Sequence, residues 1–171
     1  MVFMSDEIYP VELVAPDIEP YRKGNIGIDF VTSFDSGKPG PHVMINAVTH
    51  GNEICGAIAL DHLFKASVRP KYGKLTLGFI NHLAYSNFDP ENPGASRFVD
   101  EDFNRVWVED RLEGLEVTAE LRRARELRPV FDTVDLLLDI HSMGTYSKPL
   151  MICNGLKKER EFTVDVNFPA H

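Results

Sequence analysis

Cysteine is nearly absent: Cys55 and Cys153 are the only two, far apart and without CxxC spacing. That excludes a disulfide framework and a cysteine-rich structural zinc cluster, and it reads as two reduced, packed thiols in a cytoplasmic protein. Long apolar runs are missing too. No stretch approaches the roughly 20 residues needed to cross a bilayer, and residues 1–10 carry neither the basic start nor the apolar core of a secretory signal. Basic residues are the minority, with 18 Lys and Arg against 26 Asp and Glu and a net charge of −8. A general nucleic-acid binder needs a basic surface to neutralise phosphates, so that class is excluded; a local basic pocket for an acidic small molecule is not. Internal repeats and low-complexity segments are also lacking. What remains is an ordinary globular composition, 43% hydrophobic and 26% charged over 171 residues, which predicts a single domain with a full core.

Along the chain, residues 1–25 hold Pro10, Pro16 and Pro20 among acids and predict an irregular lead-in. Residues 26–33 and 42–48 predict neighbouring strands joined by the turn-rich stretch 34–41. A helix is expected over 53–66, where Ile54, Ile58, Leu60, Leu63 and Phe64 recur near helical spacing behind Asn52 as N-cap. Gly56 and Ala57 are small enough to let that helix lie close to a sheet. A strand over 75–80 leads into a long polar loop, 81–101, whose length marks it as functional or disordered. The next helix, 118–131, places Leu121, Ala124, Leu127 and Val130 on one face, and Pro129 should distort or end it. Residues 134–140 form a strongly apolar strand running into His141, and 150–153 and 162–166 read as two more short strands. This order predicts an α/β fold, a mixed and mostly parallel sheet with helices on both faces.

The junction Ala47-Val48-Thr49-His50-Gly51-Asn52-Glu53 ends a strand and opens a helix, the place where open α/β sheets put their chemistry. His50 and Glu53 can both bind a divalent metal. Alone they are equally a loop histidine and a first-turn glutamate favoured by the helix dipole. His141 alters the balance because it too directly follows an apolar strand. Two such strands, parallel and adjacent, bring the two histidines together. Two imidazoles and one carboxylate, with a fourth position left to water, make up a catalytic zinc centre. In the stretch 96–105, Arg97 and Arg105 can hold a carboxylate through paired guanidinium hydrogen bonds, or merely balance Asp100, Glu101 and Asp102 on a solvated surface. His42 reads as structural, His62 as packing or surface, and Lys157 and Lys158 as a solvated turn; His82 follows a strand and could line the site, but no motif supports it.

Taken together, His50-Gly51-Asn52-Glu53, Arg97 with Asp102-Phe103-Asn104-Arg105, and Asp139-Ile140-His141 resemble the ordered motifs of the succinylglutamate desuccinylase/aspartoacylase family, relatives of the zinc carboxypeptidases. The resemblance covers roughly residues 25–155. It implies a zinc-carboxypeptidase-like, phosphorylase/hydrolase-like three-layer architecture and one zinc ion held by His50, Glu53 and His141. It further implies that Arg97 is catalytic and polarises the scissile carbonyl, that Asn104 and Arg105 bind the substrate's carboxylate, and that Asp102 orients His50. The implied reaction is hydrolysis of an amide bond in an N-acyl amino acid or similar small carboxylate, with zinc-activated water attacking the carbonyl. The expected partner is that small anionic substrate, with no nucleic acid and no membrane.

Two departures qualify the match. The family places its general-base glutamate on a strand well beyond the third ligand, whereas here Glu159 and Glu161 are the only glutamates after His141, and they come too soon. The family's smaller C-terminal β domain has no counterpart. The expectation is therefore an N-terminal zinc-binding part of a longer protein, with the base beyond His171. The alternatives are a zinc peptidase of the carboxypeptidase type, and a short noncatalytic domain that binds metal and ligand. Strand edges opened by truncation would invite association into oligomers.

Overall fold

Val43, Ile45 and Ala47 alternate with Met44 and Asn46 along β2 (His42–Ala47), so a single strand feeds two cores. In this computed structural model, which describes residues 10–144 and 147–166, β2 is joined by β1 (Val31–Asp35), β3 (Lys74–Phe79) and β4 (Leu136–Ile140). They form a four-stranded sheet in the order β1-β3-β2-β4. β1 runs antiparallel to β3, and β3, β2 and β4 are parallel, giving the expected mixed, mostly parallel sheet. The helices are α1 (Ile54–Lys65), α2 (His82–Tyr85), α3 (Glu109–Glu113), α4 (Ala119–Phe131) and α5 (Lys157–Val166).

α1 covers one face of the sheet, packing Ile54, Ala57 and Leu60 against Ala47, Leu75, Leu77 and Phe79. α4 covers the other, packing Leu121, Ala124 and Leu127 against Val31, Met44 and Ile80. Each fully buried leucine or phenylalanine stabilises the fold by about 2 kcal/mol. Gly56 brings α1 close to the sheet: a Cβ there would lie 3.0 Å from both the Ala47 Cβ and the Ile140 carbonyl. The lead-in is irregular yet packed, with Ile18 in the α1-side core and the Tyr21 ring stacked on Phe64 at 4.2 Å.

Several elements depart from the pattern read in the sequence. β1 begins at Val31 rather than at 26, because Gly24, Gly27 and Phe30 all take positive φ and turn the chain before pairing can start. The stretch 81–101 is not structureless: it contains α2, whose N-terminus is capped by the Asn81 side chain, and a 3-10 turn at Pro93–Ser96. Pro129 does not end α4, which continues to Phe131; so near the C-terminus the ring costs little of the helix ladder. The two late strands are not formed. Residues 150–153 carry no regular structure, and Phe162 and Val166 belong to α5. The helix formers Lys157 to Glu161 nucleate that helix: Glu159 takes the Leu156 N–H, and Lys157 faces Glu161 one turn on. No helix of the described residues is long and apolar enough to cross a membrane.

Candidate metal centre

β2 and β4 are parallel neighbours in register, with Ala47 opposite Ile140, so their C-terminal ends lie side by side. His141 directly follows β4 and His50 lies three residues beyond β2. Between them Val48, fully buried, holds a φ of 56°, a left-handed conformation that costs a β-branched residue about 1–2 kcal/mol. That turn lifts the chain off the sheet. Gly51 then lets it pass beneath neighbouring backbone, since a Cβ there would lie 2.3 Å from the Ser96 carbonyl oxygen and 2.5 Å from the Tyr85 nitrogen. The Gly51 N–H donates to the Arg97 carbonyl at 3.1 Å, tying this loop to the 93–97 turn.

Glu53, rather than Asn52, occupies the N-cap position of α1, and its side chain caps nothing. Its carboxylate instead divides between two imidazoles: Oε1 lies 2.7 Å from His50 Nδ1 and Oε2 lies 2.7 Å from His141 Nδ1. The ligand atoms of the three residues all lie within 4.8 Å of one another. The far nitrogen of each ring meets a carboxylate of its own. His50 Nε2 is 3.2 Å from Asp102 Oδ1, and His141 Nε2 is 2.9 Å from Asp139 Oδ2. With an ion bound between the Nδ1 atoms, a carboxylate behind each Nε2 would hold the rings in the orientation that metal-binding histidines use. This donor set fits a divalent cation.

Charge follows the same geometry. Burial raises the Glu53 carboxyl, but the hydrogen bonds and charge of His141 and His50 outweigh it and hold the group at about 2. Asp139 first, then Glu53, lift His141 to about 10 against its burial. His50 and Glu53 are buried, whereas the His141 side chain is 35% exposed and opens the group to solvent.

Arg97 reaches in from the end of the 3-10 turn, its Nη2 3.0 Å from His50 Nε2 and its Nη1 3.5 Å from Glu53 Oε1. Asn104 stands at the edge, Nδ2 3.5 Å from His50 Nε2, and its backbone N–H steadies Asp102 at 2.9 Å. Arg105 is not drawn in; its Nη1 donates to the Asn104 carbonyl at 3.4 Å and the side chain is exposed. After His141 the sequence continues Ser142-Met143-Gly144-Thr145, the stretch expected to form a second active-site loop; of these, Thr145 lies outside the described residues.

A model of the succinylglutamate desuccinylase/aspartoacylase catalytic domain matches residues 39–168. The chain belongs to this family. It is similar to the aspartoacylase of Xenopus tropicalis, 29% identical over 144 residues, covering 75% of this chain and 42% of that protein. Among solved structures it resembles an aspartoacylase family protein from Mesorhizobium loti, with a TM-score of 0.51 and 24% identity over 71% of this chain and 38% of that one. It also resembles the succinylglutamate desuccinylase of Chromobacterium violaceum, with a TM-score of 0.52 and 18% identity over 67% of this chain and 37% of that one. The fold is theirs, and it is carboxypeptidase-like. Against each of the three, the chain spans less than half of the relative's length.

In this family member two positions at the centre carry contacts that motif reading did not assign. Asp139 backs His141, and the Thr49 hydroxyl lies 2.9 Å from both Asp139 oxygens. The signal for Asp139 was its spacing, since residues two apart on a strand share a face. A cavity of about 220 Å³ adjoins them, lined in part by Asn46, Thr49, Asn104, Trp107 and Asp139. His82 does not join the group; it stacks on Phe30 at 4.5 Å. His42 is structural, its Nε2 2.7 Å from Thr76 Oγ1, and His62 is exposed on α1.

Proposed function

We propose that residues 1–171 form one zinc-binding domain of a longer amidohydrolase, which removes the acyl group from an N-acyl amino acid or a similar small carboxylate. The observation that carries this is the convergence of His50, Glu53 and His141 within 4.8 Å, each imidazole backed by its own aspartate. Family membership supports the reaction class. A zinc ion held there would supply Lewis acidity, lowering the pKa of a water to about 7 and polarising a carbonyl.

The chain's own residues do the rest. His50, Glu53 and His141 hold the ion, and Asp102 and Asp139 keep the two rings turned toward it. Arg97, its side chain 41% exposed beside the group, polarises the substrate carbonyl and stabilises the negative charge that develops on its oxygen. Asn104 and Arg105, both exposed, grip the substrate's carboxylate. The attacking water must lose a proton, and neither late glutamate is assigned that role: Glu159 accepts the Leu156 N–H at 3.0 Å and Glu161 faces Lys157 at 3.5 Å. The unpaired thiols Cys55 and Cys153 fit a reduced, cytoplasmic setting.

The test is an assay of the longest natural form against N-acyl amino acids and against peptides, with its zinc content measured. Hydrolysis of an N-acyl amino acid at one zinc per chain, lost in His50→Ala, is the expected result. Peptide cleavage alone would shift the reading to a carboxypeptidase-type enzyme. Stoichiometric zinc without either activity would make this a binding domain. Absence of metal after mild purification, with His50→Ala changing nothing, would remove the site.

A further inference from the structure

We propose that Glu120 is a positioning residue for this centre, setting the loop that delivers Arg97 and Asp102 to His50. Glu120 sits in the first turn of α4 and is 0% exposed. A buried carboxylate is expensive without compensation, and here the compensation is a set of N–H donors. Oε1 accepts from the Val99 N–H at 2.7 Å and from Asn81 Nδ2 at 3.1 Å; Oε2 accepts from the Asp100 and Glu101 N–H groups at 3.1 and 3.4 Å. The helix N-terminus adds its positive end.

The three backbone donors are consecutive, and they lie between two residues of the loop that touch His50. Asp102 follows directly, and Arg97 precedes Val99 by two positions. The clasp is reciprocal: Asp100 Oδ2 accepts the Ala119 N–H at 2.7 Å, and Glu101 takes the Thr118 hydroxyl at 2.7 Å. α4 does not need Glu120 for its own start, because Thr118 already caps Leu121 N at 3.0 Å. The Glu120 carboxylate is spent on the loop. Its remaining donor, Asn81, also caps α2 through Oδ1, and Ala84 and Tyr85 of α2 form the floor against which Gly51 packs. One buried carboxylate therefore fixes both the loop that backs His50 and the helix beneath it.

Glu120→Gln tests this, because it keeps the volume but turns an NH2 group toward two N–H donors. Two readouts are taken on the 171-residue chain. The first is the NMR signal of the His50 ring N–H and its exchange with water, recorded without metal. The second is the affinity for zinc ion alone, which rests on the metal reading above. Glu120→Gln is expected to shift the His50 signal and speed its exchange, as Asp102→Asn should, and to weaken zinc about tenfold. The double variant should bind zinc no more weakly than Asp102→Asn alone, since both act through one contact. Ala124→Gly loosens the middle of the same helix without touching the loop and should leave both readouts in place. Should Glu120→Gln fail to fold, Glu120→Asp decides, keeping the charge but withdrawing it from the loop. An unchanged His50 signal in a folded Glu120 variant overturns the inference, as does an equal loss in Ala124→Gly. A wild-type chain that binds no zinc overturns the metal reading instead, and the His50 signal then judges Glu120 by itself.

Discussion

Asp139 and Asp102 solve one problem from opposite sides. Each stands behind an imidazole, and each is held by a further group, Thr49 for Asp139 and the Asn104 N–H for Asp102. The histidine that stands apart is His82, and its cost falls on stability. Its Nδ1 is buried without a partner among the described residues. Burial first, then the charges of Arg123 and Arg22, push it from 6.5 down to about 4. A histidine depressed in the folded state leaves the unfolded chain to take up the proton first as the pH falls. Stability is then full above about 6.5, declines as the pH drops toward 4, and loses no more below that. The loss should be on the order of 2–3 kcal/mol. Urea unfolding at pH 7 and at pH 4.5 should show it in the wild type. His82→Gln should remove much of the difference between the two pH values, and an unchanged difference would mean that other groups dominate the acid limb.

Among the elements, period was legible and partnership was not. The apolar run of β2 and the helical spacing of Leu60, Leu121 and Leu127 announced themselves, because each residue's burial follows from its own stretch of sequence. α5 was misread since Phe162 and Val166 look like strand residues, while the charged run before them decides the local structure. The crowding around Gly51 was not legible, because Ala84, Tyr85 and Ser96 approach it from other segments. Gly51→Ala should expose that dependence. The three nearest atoms are all backbone, the closest at 2.3 Å, so no flexible side-chain end is there to give way. The loop must move, and a destabilisation of about 1–3 kcal/mol or more is expected. Gly94→Ala, in the same turn region, meets nothing within 4 Å and should be close to neutral. Urea midpoints for the two variants compare them directly, and equal midpoints would contradict this account of the crossing.

At the scale of the molecule, the candidate ligands could be found from sequence because two apolar strands point straight at them. Asp102 was within reach by resemblance, but the group that sets its loop was not, since Glu120 accepts from Val99 to Glu101 and from Asn81 across distances in the chain that only the packed sheet closes. The same long-range construction has a thermodynamic consequence. Glu53 and His141 are 88 residues apart, so their shared site exists when β2 and β4 are paired and disappears when the sheet unfolds. An ion bound to all three ligands therefore binds the native state and has little hold on the unfolded chain. At free zinc about 100 times its Kd, the linkage stabilises the fold by about 2.7 kcal/mol. For a chain of this size each kcal/mol moves Tm by about 2–4 °C, so zinc should raise it by about 5–10 °C. Excess chelator should return the melt to its starting position. His50→Ala, lacking one ligand, should lose most of the gain at the same zinc concentration. A wild-type melt that zinc leaves unmoved, under conditions where other divalent ions are equally silent, would mean that these three side chains do not hold a metal in the folded chain.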